Sequence, residues 1–239
     1  MTRDELVARL FPHGARLAVA GGVLTGTGAY APGREAVVLG AVDGVPLGGA
    51  AALALAGAVL EAGRQKQRPP IVMLVDAGSQ AMRREEELLG LNEHLAHLAK
   101  CLLLAAAEGQ RTVGVLYGRA AAGALIATAL ACDTLVALPE ASPAVMDLPS
   151  IARVTKLDPA MLERMASETP IFAPGLAPLV ATGAIDAVWD PDANLAALLR
   201  AVLDTPPGPD RRASRGTRHG GRTLAAAIAT RVEAAARDG

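Results

Sequence analysis

Residues 71–78, IVMLVDAG, and residues 112–139, TVGVLYGRAAAGALIATALACDTLVALP, set the architecture of the chain. The first is an unbroken apolar run that stops at Asp76 and Gly78. The second reads as strand, helix, strand: TVGVLY is apolar and β-branched, AAGALIATALAC is rich in helix-forming Ala and Leu, and DTLVALP is again short and apolar. Strands without polar alternation are covered on both faces, as in a parallel sheet with helices packed on either side. The fold class is therefore α/β.

Working outward, apolar strands begin near residues 36, 71, 113 and 135, so the units recur without even spacing and without sequence identity. RLAVAGG, VLTGTGAY and EAVVLGAVDG precede the first unit as short strands with Gly turns. PLGGAAALALAGAVLEAGRQ reads as a helix with Pro46 near its start, and RREEELLGLNEHLAHLAKCLLLAAAEG as one long helix. At the N-terminus, Leu6, Val7 and Leu10 share a face of a short amphipathic helix over Asp4–Phe11. Beyond Leu138 the pattern is irregular, with helices at DPAMLERMASE and DANLAALLRAVLD and a strand ending at Trp189. The expected organisation is one domain over residues 1–204, a flexible basic linker over 205–222 with five Arg against one Asp, and a terminal amphipathic helix over 223–239.

Composition narrows the function. Of 239 residues, 51% are hydrophobic but only 2% aromatic, so the core is built from Ala, Leu and Val, and no base-stacking surface for nucleic acid is available. With 23 basic and 24 acidic residues the net charge is −1, which attracts no polyanion. Cys101 and Cys132 lie in apolar helical stretches and read as buried, reduced thiols. The charged, amphipathic N-terminus reads as a short helix and not as a signal h-region. Two uncharged runs, 17 residues from Gly44 and 13 from Ala120, are too short or too weakly apolar to span a bilayer. The expectation is a cytoplasmic protein without membrane insertion.

Ordinary catalytic groups are scarce. His94 and His97 lie three apart on the long helix without a third metal ligand, beside Glu85, Glu86 and Glu87; this reads as a solvated helix face. Ser79 is not in a G-x-S-x-G elbow, and the chain has no P-loop, dinucleotide fingerprint or zinc spacing. What remains are two strand-to-loop junctions, Val75–Ala81 and Tyr117–Ala124. Small residues there leave backbone N–H groups free, and at the second junction they open a helix, an arrangement that stabilises an oxyanion without side-chain chemistry. Tight packing of helix on sheet accounts equally well for the same small residues.

Taken together, VDAGSQAMRREEELLGLNEHLAHLA, VGVLYGRAAAGALIATALACDTLVALPEA, VMDLPSIARVTK and PIFAPG resemble the gamma subunit of biotin-independent malonate decarboxylase. The resemblance runs from about residue 3 to 203, in the family's order; it does not place the region after Asp204. It implies a crotonase (ClpP-like) spiral fold of repeated strand-strand-helix units, related to the carboxyltransferase subunits of acyl-CoA carboxylases. The implied partners are a beta subunit sharing the active site, an acyl carrier protein and an acyltransferase alpha subunit. Malonate would arrive as a thioester on the carrier's phosphopantetheine-type arm, derived from dephospho-CoA, with no biotin and no metal in this chain.

The demand on the two junctions is then to hold a thioester oxygen while enolate charge develops on it. The candidate donors are the backbone N–H groups of Gly78, Gly123 and Ala124. Tyr117, Arg119, Gln80 and Arg153 are the polar residues expected nearest the cleft, the arginines for docking a malonyl carboxylate or a carrier phosphate. One departure is plain: the family shows Ser-Gly-Gly or similar where this chain has Ala122-Gly123-Ala124. A Cβ at position 124 would narrow the approach or exclude a positive φ, which leaves two arrangements open: donors from this chain, or a beta subunit that holds the thioester while this chain forms the opposite wall. Two other functions fit the residues: a non-catalytic scaffold for the beta subunit, and an independent crotonase-type acyl-CoA hydratase or hydrolase, which the lack of a suitably placed Glu pair disfavours.

Overall fold

The computed structural model describes residues 1–169, 173–206, 208–220 and 224–237. Helix α1 (Arg3–Leu10) leads into a meander of β1 (Ala15–Ala20), β2 (Val23–Ala31) and β3 (Arg34–Ala41). Helix α2 (Gly49–Arg64) crosses to β4 (Ile71–Val75), and α3 (Arg84–Leu88) with α4 (Leu91–Ala107) crosses to β5 (Thr112–Leu116). Strand β6 (Arg119–Ala121), α5 (Ala122–Ala127) and a 3-10 turn (Ala129–Ala131) lead to β7 (Thr134–Ala137). Then follow β8 (Ser142–Ala144), α6 (Leu148–Thr155), α7 (Pro159–Glu168), α8 (Leu176–Ala181), β9 (Ala187–Val188), α9 (Leu195–Asp204), α10 (Arg212–Arg218) and α11 (Ala225–Arg237).

The main sheet has seven strands in the order β1-β2-β3-β4-β5-β7-β9. The first three are antiparallel, and β3, β4, β5, β7 and β9 run parallel. Both faces of β4, β5 and β7 are buried, as their apolar runs require, while β1 at the edge is exposed. In register across the sheet, Leu39, Met73, Gly114 and Leu135 form one row. Leu39, Met73 and Leu135 pack with Leu55 of α2, Leu98 of α4 and Leu125 of α5. Val38, Leu74, Val115 and Val136 point the other way, against Leu6 and Leu10 of α1, Leu195 and Leu199 of α9, and Trp189. Each such fully buried Val or Leu stabilises the fold by about 1.5–3 kcal/mol.

The structure corrects three expectations. The long helix is two helices, α3 and α4, separated at Gly90, which adopts a left-handed conformation (φ 78°, ψ 44°). The helix after β5 starts later and ends sooner: residues 119–121 form β6, paired in parallel with β8, and α5 stops where Thr128 takes φ −110° and ψ −82°. The Thr128 hydroxyl donates to the Ala124 carbonyl at 2.6 Å, a local bond that competes with continued helix.

The expected linker is the third. It carries α10, whose basic residues tie it to the domain. Arg212 donates to the carbonyls of Ala131 and Cys132 at 3.1 and 2.8 Å, at the end of the 3-10 turn. Arg215 pairs with Asp186. His219 Nδ1 lies 3.1 Å from the Ala181 carbonyl that ends α8, over Gly183. Cations at exposed carbonyl ends of helical turns are favoured by the same partial charges that make up the helix dipole. Within the tail, Pro207, Gly221, Arg222, Thr223, Asp238 and Gly239 lie outside the described residues, as do Pro170, Ile171 and Phe172 of the PIFAPG motif.

Gly57 lies on the exposed side of α2 with no atom within 4 Å of the position a Cβ would take. Gly57→Ala is expected to raise the denaturant midpoint, equivalent to about 0.5–1 kcal/mol, because Ala loses less backbone entropy in a helix.

Candidate functional site

Ligands of open parallel sheets bind outside the carboxyl ends of the strands. Here the ends of β3, β4 and β5 carry three loops that are stitched to one another. The Asp76 N–H donates to the Ala41 carbonyl and its own carbonyl accepts from the Gly44 N–H, both at 2.8 Å. Its side chain reaches the other way, where the Arg119 N–H donates to Asp76 Oδ1 at 2.9 Å. Gly118 makes room for that carboxylate, since a Cβ there would fall 2.3 Å from Asp76 Cγ. Leu47 donates to the Ser79 carbonyl at 2.8 Å and accepts from the Ala81 N–H at 2.9 Å.

Of the expected site residues, the fold brings Gly78, Gln80, Gly123 and Ala124 to this end of the sheet. Gly78 has φ +63°, and a Cβ on it would meet the Gly44 carbonyl oxygen at 2.8 Å, so only glycine fits. The Gly123 N–H donates to Gln80 Oε1 at 2.8 Å. Its Cα faces Leu95 of α4, with 2.9 Å between a Cβ there and Leu95 Cδ1. Ala124 is wholly buried. The residue with positive φ is Ala122 (φ +50°), not Ala124, so the alanine that stands in the family's Ser-Gly-Gly stretch is accommodated in a strained conformation.

Tyr117 is on the other side of the sheet. It packs with the α1 and α9 core, 6% exposed, and its hydroxyl has no hydrogen-bond partner among the described residues. Burial pushes that hydroxyl far up from its ordinary value, and the charges of Asp76 and Asp43 add to the effect. Arg119 starts β6 with its side chain exposed, and Arg153 is exposed on α6. Cys101 and Cys132 are buried and unpaired, with the Cys132 thiol pushed up to about 12 by burial.

Sequence reading missed Glu86. Helix α2 begins with Gly48 as its cap, which offers no side chain, and Glu86 of α3 fills the role from a distance: the Gly49 N–H donates to Glu86 Oε2 at 2.8 Å. Arg83 donates to the other oxygen at 3.0 Å. Two adjacent glycines at a helix start, opposite an acidic stretch, were the available signal. His94 stands beside the same turn, its Nδ1 buried without a partner, while His97 is exposed with Nε2 3.7 Å from Cys101 Sγ. A cavity of about 590 Å³ opens next to this corner, between β2 and α2, bordered by Val45, Pro46, Gly48, Ala81 and Glu86.

A half-antiparallel, half-parallel sheet flanked by helices, with glycine-rich loops at its carboxyl edge, is the crotonase fold. Transcarboxylase 12S, with hydrolysed methylmalonyl-coenzyme A bound, superposes with a TM-score of 0.69 at 23% identity, over 84% of this chain and 41% of that one. Within that class, the family model for the malonate decarboxylase gamma subunit matches residues 42–236, and the chain belongs to that family. A Pseudomonas malonate decarboxylase hetero-tetramer in complex with coenzyme A contains a chain with a TM-score of 0.77 at 22% identity, covering 100% of this chain and 99% of that one. The malonyl-S-ACP:biotin-protein carboxyltransferase of Malonomonas rubra is 31% identical over 122 residues, 48% of this chain. The match spans 42% of that relative's length. The family match includes both loops and extends past Asp204, through α10 into α11.

Two measurements probe this corner. Gly118→Ala is expected to cost about 1–3 kcal/mol in urea unfolding through overpacking against Asp76. Combining it with Asp76→Ala should recover part of that loss, whereas simple additivity would show that Asp76 is not the obstacle. The Glu86 carboxylate is held below its ordinary range, first by the Gly49 N–H and then by Arg83. A depressed folded pKa contributes stability above the unfolded value and loses it as pH falls through the folded one. Glu86→Gln should therefore be less stable than wild type at pH 7, with the difference closing on acidification below about pH 4.

Proposed function

We propose that the chain is the gamma subunit of a heteromeric, biotin-independent malonate decarboxylase, converting malonyl-S-acyl-carrier-protein to acetyl-S-acyl-carrier-protein and CO2. The observation that carries this reading is the family match over residues 42–236, which encloses the stitched loops at the strand ends. In the reaction the malonyl carboxylate leaves as CO2, and the electron pair of the broken C–C bond moves into the thioester as an enolate. A proton on the enolate carbon then completes the acetyl group. Nothing in this step requires a metal or biotin in this chain; the phosphopantetheine-type arm belongs to the carrier.

A beta subunit of related fold completes the site, and a carrier protein and an acyltransferase alpha subunit complete the enzyme. Support for a partner comes from apolar side chains left in solvent beside the loops: Met82, Leu88 and Leu89 are 79%, 75% and 73% exposed. No helix among the described residues is long and apolar enough to cross a membrane, and the proposed reaction is assigned to the cytoplasm. The scaffold reading keeps one specific argument, that the Gly123 N–H is already bonded to Gln80.

The isolated chain is expected to release no CO2 from malonyl-carrier, and activity should appear on adding the beta subunit. Turnover by the chain alone would replace this reading with that of an independent crotonase-type enzyme. A beta subunit fully active without this chain would reduce it to a scaffold.

A further inference from the structure

We infer that Gln80 is a positioning residue whose carboxamide consumes the Gly123 N–H and sets the entrance of α5, so that this amide is not a donor to the thioester oxygen. The inference rests on the decarboxylase reading above and assigns a part of its site. An amide at the first turn of a helix has no partner within the helix and is the group an oxyanion would seek. Here it has one: Gln80 Oε1 at 2.8 Å, in the middle of the range for a sound N–H···O bond.

Space argues the same way. The face of Gly123 where a Cβ would stand is bounded by Leu95 Cδ1 at 2.9 Å and by Gln80 Oε1 and Cδ at 3.4 and 3.6 Å. Ala124, next in the chain, is fully buried, while Ala122 and Gly123 are half-buried. On the Cβ side of Gly123 the chain's own atoms occupy the space.

The base from which the Gln80 side chain reaches is fixed. Its backbone pairs with Leu47 in a parallel bridge, flanked by the Leu47–Ser79 and Ala81–Leu47 hydrogen bonds, and its carbonyl accepts from Ser79 Oγ at 2.9 Å. The strain at Ala122 gives the bond a purpose. A non-glycine residue persists at φ +50° only where its surroundings over-determine it, and the pinned amide of the next residue supplies that constraint.

Two variants decide between pin and gate. Gln80→Leu removes the acceptor at similar size; Gln80→Glu keeps an oxygen, now charged, facing the helix start. In the isolated chain, hydrogen exchange at the Gly123 amide should accelerate at least about tenfold in Gln80→Leu and stay near wild type in Gln80→Glu. In the assembled complex, with wild type as reference, Gln80→Glu should keep kcat within about threefold. Gln80→Leu should lose about fivefold or more in kcat with KM for malonyl-carrier unchanged, the split expected when geometry rather than binding is disturbed. Unchanged exchange in Gln80→Leu would overturn the proposal. So would kcat at or above wild type in Gln80→Leu, since turnover then does not depend on the pin, or loss of turnover in Gln80→Glu with assembly intact, since the retained acceptor then obstructs instead of positioning. If the wild-type complex does not decarboxylate malonyl-carrier, the functional reading fails while the exchange measurement still decides the pin.

Discussion

Asp76 is bonded at three points to the chain around it, and the carboxyl edge of the sheet is organised by those bonds. Its main chain joins the end of β3 and the loop at Gly44, and its carboxylate takes the Arg119 N–H beyond β5. The node needs an anionic or strongly polar acceptor of that length and a neighbour without a side chain, which Gly118 provides. Once it is in place the loops after β3, β4 and β5 cannot separate. Gly78 must then turn through positive φ under the Gly44 carbonyl. That turn brings Ser79, Gln80 and Ala81 alongside Leu47, and Gln80 into reach of α5.

Small side chains make this density possible. Gly48 and Gly49 admit Glu86 and His94 to the start of α2, and Gly123 admits Leu95 of α4 against α5. The Ala- and Gly-rich composition thus has a structural consequence: helices approach the sheet and each other closely enough for side chains of one element to serve the backbone of another. Glu86 capping α2 and Gln80 capping α5 are two instances of one solution, a polar side chain borrowed by a helix whose own cap position, Gly48 or Ala121, offers none.

The C-terminal segment shows how composition misleads about order. A stretch rich in Pro, Gly and Arg lacks the apolar area to offset its own ordering, which predicts a loose connection. Around α10 the offset comes from elsewhere: Arg212, Arg215 and His219 find carbonyls at the ends of the 3-10 turn and α8 and the Asp186 carboxylate just before β9. Those acceptors exist only in the folded domain, so no count of residues within the segment reveals them.

The strands of the main sheet, their order along the chain and the parallel α/β class were legible in the sequence alone, the central ones because a strand buried on both faces announces itself by an unbroken apolar run closed by Asp or Gly; β6 and β8 were not. The carboxyl-end loops were legible for the same reason, as the places where those runs stop. What tertiary structure alone decided is sidedness and pairing. In IVMLV and TVGVLY no polar residue alternates with the apolar ones, so the period of two carries no sign of which face each side chain takes. Tyr117 therefore could be placed at the cleft on paper, yet it packs against α1 and α9. Likewise Gly90 and Thr128 break helices within stretches whose apolar pattern continues unbroken. The Gln80–Gly123 bond joins residues 43 apart in sequence. Local pattern records what a residue must avoid, which is water; its partner is decided only when the sheet has brought the loops together.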